Sequence, residues 1–296
     1  MLHRLFICAS IVGGVAAPTL AEPIYGLTNL QQLVAFDSAT RTVTSTVSLN
    51  GFSIAGEFGL SIDFRPATSQ LYLLSNLNNL YTIDLMTGDR TSVGGPLTVT
   101  GGLRSIDFNP TVDRIRVSGS SGAVRNLRVN PDTGAAIVDG NHAFAAGDPN
   151  AGDSPNVVNA AYTNSVAGAT ATTLYTIEAF NDVLAIQMPP NDGTLNTVGG
   201  LGANIATSGG FTGFDISGFS GAAYLVGNNL AGGGLMANTL YGVNLGSGAL
   251  TNFGGITGIN GLLRDIAVGP QQVPEPASFL LLALGGVACV RRLRRR

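Results

Sequence analysis

From residue 24 to residue 268 the chain runs as short apolar stretches separated by Gly, Asn, Asp, Thr and Pro, and one stretch returns five times. It reads IYGLTN at Ile24, LYLLSN at Leu71, IRVSG at Ile115, LYTIE at Leu174 and AYLVGN at Ala223, with successive starts 47, 44, 59 and 49 residues apart. Short runs rich in β-branched and aromatic residues and bounded by turn formers predict strands, and a spacing near fifty residues predicts a propeller or a solenoid. A second run follows each at 33–37, 80–84, 124–129, 183–187 and 240–244. Turns such as Met86-Thr87-Gly88, Pro131-Asp132-Thr133-Gly134, Asn191-Asp192-Gly193 and Gly246-Ser247-Gly248 then lead to a third, ending near Val47, Val93, Val138, Val198 or Phe253. Gly and Asn supply the positive φ that such hairpins need.

A further strand precedes the recurring one at 60–64, 104–108, 157–162 and 213–216, which gives the four antiparallel strands of a propeller blade. The first unit lacks this leading strand, while residues 263–268 form a matching strand with no unit after it. The expectation is an all-β propeller of five four-stranded blades, with the C-terminal strand completing the N-terminal blade and leaving no exposed sheet edge. Six or seven blades would need more repeats, and an open β-solenoid would leave both half-units unexplained.

Composition agrees with this class. The 296 residues include 41 Gly and no Trp, and only 11% are charged. With no lysine, the nine arginines of residues 22–272 face seventeen acidic residues, a net charge of −8. A body of that charge does not attract phosphate backbones, which argues against a nucleic-acid partner. Cys8 and Cys289 both lie outside the body, so a disulfide, a Cys-zinc site and a cysteine nucleophile are excluded within it.

The two ends have a different character. Residues 1–21 carry a short positive start, an apolar stretch and small residues before Glu22, the pattern of a signal peptide cleaved after Ala21 by signal peptidase. The tail, 273–296, holds Pro274-Glu275-Pro276, an apolar run of thirteen residues at 278–290, and Arg291, Arg292, Arg294, Arg295 and Arg296. As a helix that run extends about 20 Å against a hydrocarbon core of about 30 Å, which suits a transient inner-membrane anchor. The arginines place the tail end on the cytoplasmic side and everything before it outside.

This three-part tail resembles the PEP-CTERM sorting signal of Gram-negative bacteria that make extracellular polysaccharide. The resemblance implies recognition and processing by an exosortase and delivery to the cell surface, the outer membrane or the extracellular matrix. The body in turn resembles the bacterial family called domain of unknown function 4394, through RSIDFNPTVDRIRV, LRVNPDTGA, AAYTNSVAGATATTLYTI and GTLNTVGGLG. That resemblance supports the fold and implies no activity.

Candidate chemistry is sparse. Asp63, Asp107, Asp215 and Asp265 recur at what the repeat alignment gives as equivalent blade positions, where they bond backbone amides or gather around a cation. The longest departure from the repeat, 139–156, carries His142, the body's single histidine, and Asp148, Asn150 and Asp153, oxygen ligands suited to calcium. Its spacing departs from an EF-hand and lacks the closing Glu, so a solvated Asx-turn loop is the simpler reading, with His142 as exposed polar surface. Arg114 and Arg116 share a strand face and would suit an anionic glycan or carboxylate, or pair with Asp113 and Asp132. The Gly-rich runs at 198–210 and 231–238 read as loops between strands, with no phosphate-cradling form.

The expected function is a binding or structural protein outside the cell, with no catalytic residues, no required cofactor, and exopolysaccharide or a surface protein as partner. The alternatives are a metal-dependent propeller enzyme of lactonase or lyase type, and a glycan-binding module.

Overall fold

The structure is a computed structural model that describes residues 21–50, 52, 54–98, 101–122, 125–205, 211–227 and 236–270. It is all-β, with one short 3-10 turn at Pro190–Asp192. Residues 1–20 of the expected leader, and the sorting motif from Val273 on with Pro274, Glu275, Pro276 and the arginine cluster, lie outside the described residues. Among the described residues no helix is long and apolar enough to cross a membrane.

Five small antiparallel sheets form the blades of a five-bladed propeller. Blade 1 contains β1 (Pro23–Thr28), β2 (Gln32–Asp37) and β3 (Val43–Ser48). Blade 2 follows with β4 (Gly59–Arg65), β5 (Gln70–Ser75), β6 (Leu80–Ile83) and β7 (Arg90–Val93), and blade 3 with β8 (Gly101–Asn109), β9 (Arg114–Gly122), β10 (Asn126–Val129) and β11 (Ala136–Val138). After the two-residue β12 (Ala143–Phe144), blade 4 comprises β13 (Val157–Tyr162), β14 (Leu174–Glu178), β15 (Val183–Gln187) and β16 (Thr194–Gly200). Blade 5 has β17 (Thr212–Ile216), β18 (Ala223–Gly227), β19 (Thr239–Val243) and β20 (Leu250–Gly255). The last strand, β21 (Leu263–Val268), pairs antiparallel with β1, with Tyr25 opposite Ala267 and Leu27 opposite Asp265.

The third hairpin of blades 1, 2, 3 and 5 shows why its turn sequence recurs, while blade 4 turns through Pro190–Asp192. In blade 2 the Asp84 carboxylate accepts from the amides of Met86 and Thr87, and Gly88, at φ 74°, returns its own amide to the Asp84 carbonyl. Asp37, Asn130 and Asn244 play the same part in blades 1, 3 and 5. A side-chain oxygen closes the turn, and a residue free to take positive φ ends it.

Apolar clusters join most neighbouring blades. Leu27 and Leu33 meet Ile62, Leu71 and Leu73 between blades 1 and 2, and Tyr72 and Leu74 meet Ile106, Phe108 and Val117 between blades 2 and 3. Ala161 and Ile177 meet Phe214 and Leu225 between blades 4 and 5, while Ile24, Phe36 and Ile266 meet Tyr224 and Val226 between blades 5 and 1. Each fully buried Leu, Ile or Phe is worth about 1.5–3 kcal/mol, so these seams carry most of the ring's cohesion.

The seam between blades 3 and 4 is polar. Arg116, 2% exposed, donates to Asp139 at 2.6 Å, to Asn126 at 2.8 Å and to Asn191 at 2.8 Å, and Arg128 also holds Asp139. The ends of the 139–156 segment are therefore part of the packing, while most of 146–154 is exposed and carries an Asx turn from Asp148 to the Asn150 amide. The segment's β12 adds to β16 in parallel, making blade 4 five-stranded, and it buries His142 and Phe144.

Candidate functional site

The innermost strands β21, β4, β8, β13 and β17 surround the propeller axis, and each presents an edge of backbone N–H groups that no strand of its own blade pairs. Side chains from the neighbouring blade meet this demand. The Asp63 carboxylate accepts from the Phe108 amide at 2.7 Å, Asp107 from Tyr162 at 2.8 Å, and Asp215 from Val268 at 2.6 Å. One step along the axis, Ser61 accepts from Ile106 at 2.9 Å and Asp265 from Ile62 at 2.9 Å.

These bonds correct the sequence alignment of the four aspartates. Asp63, Asp107 and Asp215 share a tier, in which blades 4 and 1 carry Ala161 and Ala267, paired opposite Tyr175 and Tyr25 as Asp63 and Asp215 are opposite Tyr72 and Tyr224. Asp265 lies two residues earlier on its strand and belongs with Ser61, Ser105, Asn159 and Gly213. Gly213 is required there, since a Cβ would stand 2.6 Å from the Asp265 Cα. The prolines carry the missed signal. Aligning Pro270 with Pro66 and Pro110 puts Asp265 level with Ser61 and Ser105.

The two alanines explain a second detail. Where the preceding blade offers Ala267 or Ala161, the next inner-strand amide has no acceptor, so Asp63 also accepts from Phe64 at 2.7 Å and Asp215 from Ile216 at 2.6 Å. Both oxygens of those residues are thus engaged. Asp107 follows Asp63 in the ring and needs only the bond to Tyr162.

Oxygens of Asp63, Asp107 and Asp215 lie within 4.8 Å of one another, all buried, close enough to share a cation. Burial first, and then the neighbouring carboxylates, hold Asp63 and Asp107 well above the usual carboxylate range. Burial raises Asp215 to about 7 and Asp265 to about 8, against the opposing pull of the amides each accepts from. At neutral pH the cluster therefore retains protons in place of full negative charge.

One mouth of the axis opens into a pocket of about 460 Å³. Asp63 and Asp215 line it together with Phe64, Val166, Phe219 and Val268. At the other mouth, the N-terminal ends of the inner strands, the Arg264 guanidinium carbon lies 4.5 Å from the centre of the Phe58 ring and 4.1 Å from that of Phe211.

The remaining sequence candidates are placed as follows. Asp148 accepts from Thr197 through its amide at 2.5 Å and its hydroxyl at 2.8 Å, and from the Asn150 amide at 2.9 Å. The Asn150 side chain donates to the same Thr197 hydroxyl, so these two residues staple the segment to β16, while Asp153 is exposed. His142 is 2% exposed and so is not polar surface. Burial, with Arg125 and Arg116 nearby, lowers its pKa to about 3 and keeps it neutral. Arg116 is an internal strut, and Arg114 is exposed with a bond to the Asp113 carbonyl. Asp113 and Asp132 pair with Arg65 of blade 2 and not with Arg114 or Arg116. Of the Gly-rich runs, residues 198–200 belong to β16, and 206–210 and 231–235 lie outside the described residues.

Sequence reasoning did not find Glu22. Its side chain is 1% exposed and accepts from Ser217, Ser220 and Tyr224 of blade 5 at 2.5, 3.1 and 2.8 Å.

Comparison with known proteins agrees with this architecture. A chain in the crystal structure of a nidogen/laminin complex superposes with a TM-score of 0.50 at 13% identity, over 85% of this chain and 99% of that one. A structural genomics protein of unknown function from Bacteroides thetaiotaomicron matches with a TM-score of 0.47 at 14% identity, over 77% of this chain and 55% of that one. No curated protein matches. The PEP-CTERM protein-sorting motif matches residues 272–296 and marks the chain as exported and sorted by an exosortase. The model of a domain of unknown function, DUF4394, matches residues 22–267, nearly the whole propeller, and the chain belongs to that family.

Proposed function

We propose that the chain is a non-catalytic binding propeller displayed outside the cell. Signal peptidase removes residues 1–21, the tail anchors transiently in the inner membrane, and exosortase processing leaves the ring at the cell surface, the outer membrane or in the extracellular matrix. Exopolysaccharide or another surface protein is its partner there. The observation that carries this reading is the sorting-motif match at 272–296, which begins four residues after the last strand ends at Val268. Replacing Pro274, Glu275 and Pro276 with alanine tests it: an unprocessed form should accumulate in the inner membrane. An unchanged mature mass and location would refute the sorting scheme.

A metal-dependent enzyme is the second reading, favoured by the closeness of Asp63, Asp107 and Asp215. Against it stands the engagement of both oxygens of Asp63 and Asp215 by backbone amides, which suits a structural ring without a cofactor. Calcium in the 139–156 segment would have to compete with Thr197 for Asp148. Chelator treatment followed by calcium addition separates these readings. A melting temperature that moves with calcium would favour the metal site, and one that stays fixed favours the structural ring.

A further inference from the structure

The mouth of the axis at the N-terminal ends of the inner strands carries two arginines with no acidic partner among the described residues. Arg104 on β8 and Arg264 on β21 each stand one residue before the Ser105 and Asp265 tier, at the position that Leu60, Val158 and Thr212 fill in the other blades. All five positions are at least partly open to solvent, whereas the next residue inward is buried in every blade. They therefore form the rim of the axial opening.

The Arg264 guanidinium lies over the rings of Phe58 and Phe211, as that of Arg90 does over Phe52 and Tyr81, and it makes no hydrogen bond among the described residues. Its Nε is buried with no hydrogen-bond partner. Burial and then the positive charge of Arg104 act on it in the same direction, lowering its pKa, with no carboxylate to offset them. Arg104 is exposed and donates only to the Ser120 hydroxyl, at 2.9 Å. Arg65, Arg116 and Arg128 are spent in ion pairs, and the half-buried Arg90 and Arg125 donate to the Asn50 and Pro155 carbonyls. The Arg104 charge acts unfavourably on Arg264, and an anion bound at this rim would offset it.

One step further inward, the Ser105 hydroxyl and the Asn159 carbonyl oxygen are buried and unpartnered. They lie in the tier whose other members, Ser61 and Asp265, reach across to the next inner strand. A guanidinium rim flanked by two half-buried phenylalanine rings fits a sugar that bears a carboxylate.

We propose that Arg264 and Arg104, with Phe58 and Phe211, form a binding site for the carboxylate of an acidic sugar at this mouth of the propeller. The planar guanidinium edge pairs with the planar carboxylate, and the two rings pack against the C–H faces of the sugar. This rests on the binding-module reading, and the two can fail separately. Loss of carboxylate binding would leave surface sorting intact, and failed sorting would leave the purified chain able to bind.

The test is isothermal titration calorimetry of the full chain with polygalacturonate, galacturonate and a neutral galactan. The acidic probes should bind and the galactan should not, and affinity should fall as salt rises from about 0.02 to about 0.3 M. Arg264→Gln should weaken binding by about tenfold or more, and Arg104→Gln, at an exposed position that does not threaten folding, by a smaller factor. Binding by polymer and monomer alike places a single sugar residue in the site, and binding by polymer alone assigns the site to a chain interior. The proposal is overturned if neither acidic probe binds, if the galactan binds equally well, or if Arg104→Gln and Arg264→Gln both bind as the unmodified chain does.

Discussion

The Glu22 carboxylate accepts a hydrogen bond from the Tyr224 hydroxyl at 2.8 Å, joining residues 202 positions apart in the chain. With Ser217 and Ser220 it forms a polar clasp between blades 5 and 1, beside the apolar contact of Ile24 and Phe36 with Val226. Burial and the Glu22 charge raise the Tyr224 pKa to about 12, so the phenol stays a donor at any physiological pH. Tyr224→Phe should cost about 1–3 kcal/mol in urea unfolding, because a charge-assisted bond is lost and the carboxylate stays buried. A cost no larger than that of Tyr175→Phe, at a half-buried tyrosine with no carboxylate partner among the described residues, would mean the clasp does not hold the ring.

The axial carboxyls set a pH dependence whose sign follows from their raised pKa values. Asp215 at about 7 and Asp265 at about 8 hold protons more tightly when folded, so their contribution is complete below the unfolded carboxylate range and is lost as pH climbs through 7 to 8. His142 acts oppositely, since its lowered pKa withdraws stability as pH falls below about 6.5. The clean window is therefore pH 6.5 to 8.5. The melting temperature should drop across it, and Asp265→Asn, which keeps an acceptor for Ile62, should flatten the slope. A profile level over this window in the unmodified chain would rule out protonated carboxyls.

Arg116 is the strut of the polar seam. Arg116→Ala removes donors from Asp139, Asn126 and Asn191 at once and should destabilise by about 3 kcal/mol or more, even though Arg128 stays on Asp139. Thermal unfolding monitored by circular dichroism measures this, and a loss no larger than that of the exposed Arg114→Ala would show the seam to be held by other contacts.

Gly213→Ala should destabilise by about 1–3 kcal/mol, because the new methyl would meet the Asp265 backbone. Gly95→Ala, where nothing lies within 4 Å, is the matched control and should be neutral. Equal unfolding midpoints for the two variants would contradict the packing of blade 5 against blade 1.

Much of the fold was legible because blade strands are short, bounded by Asx turns and Gly, and repeated. Asp84, Asn130 and Asn244 announce their hairpins locally. The axial tiers were harder to read. Asp265 precedes an isoleucine where Asp63 and Asp107 follow one, and the cross-blade bond to the Ile62 amide fixes the level that the spacing to Pro270 signals in the sequence. Arg116 could be read as an anion-binding group or as a partner of Asp113 or Asp132, because its actual partner Asp139 is 23 residues away and strand alternation cannot reveal which acid a long side chain will meet. Glu22 was hidden for a similar reason, since all three side chains that donate to its carboxylate lie some two hundred residues downstream.

Pairing β1 with β21 also orders events in time. Blade 1 stays without its inner strand until the chain has been made and translocated through Val268, so Glu22 and β1 wait for the whole of the intervening sequence. The ring can shut only once synthesis has run to within a few residues of the sorting motif at 272–296. Closure of the fold and completion of the sorting signal are thus neighbouring events in the making of one chain.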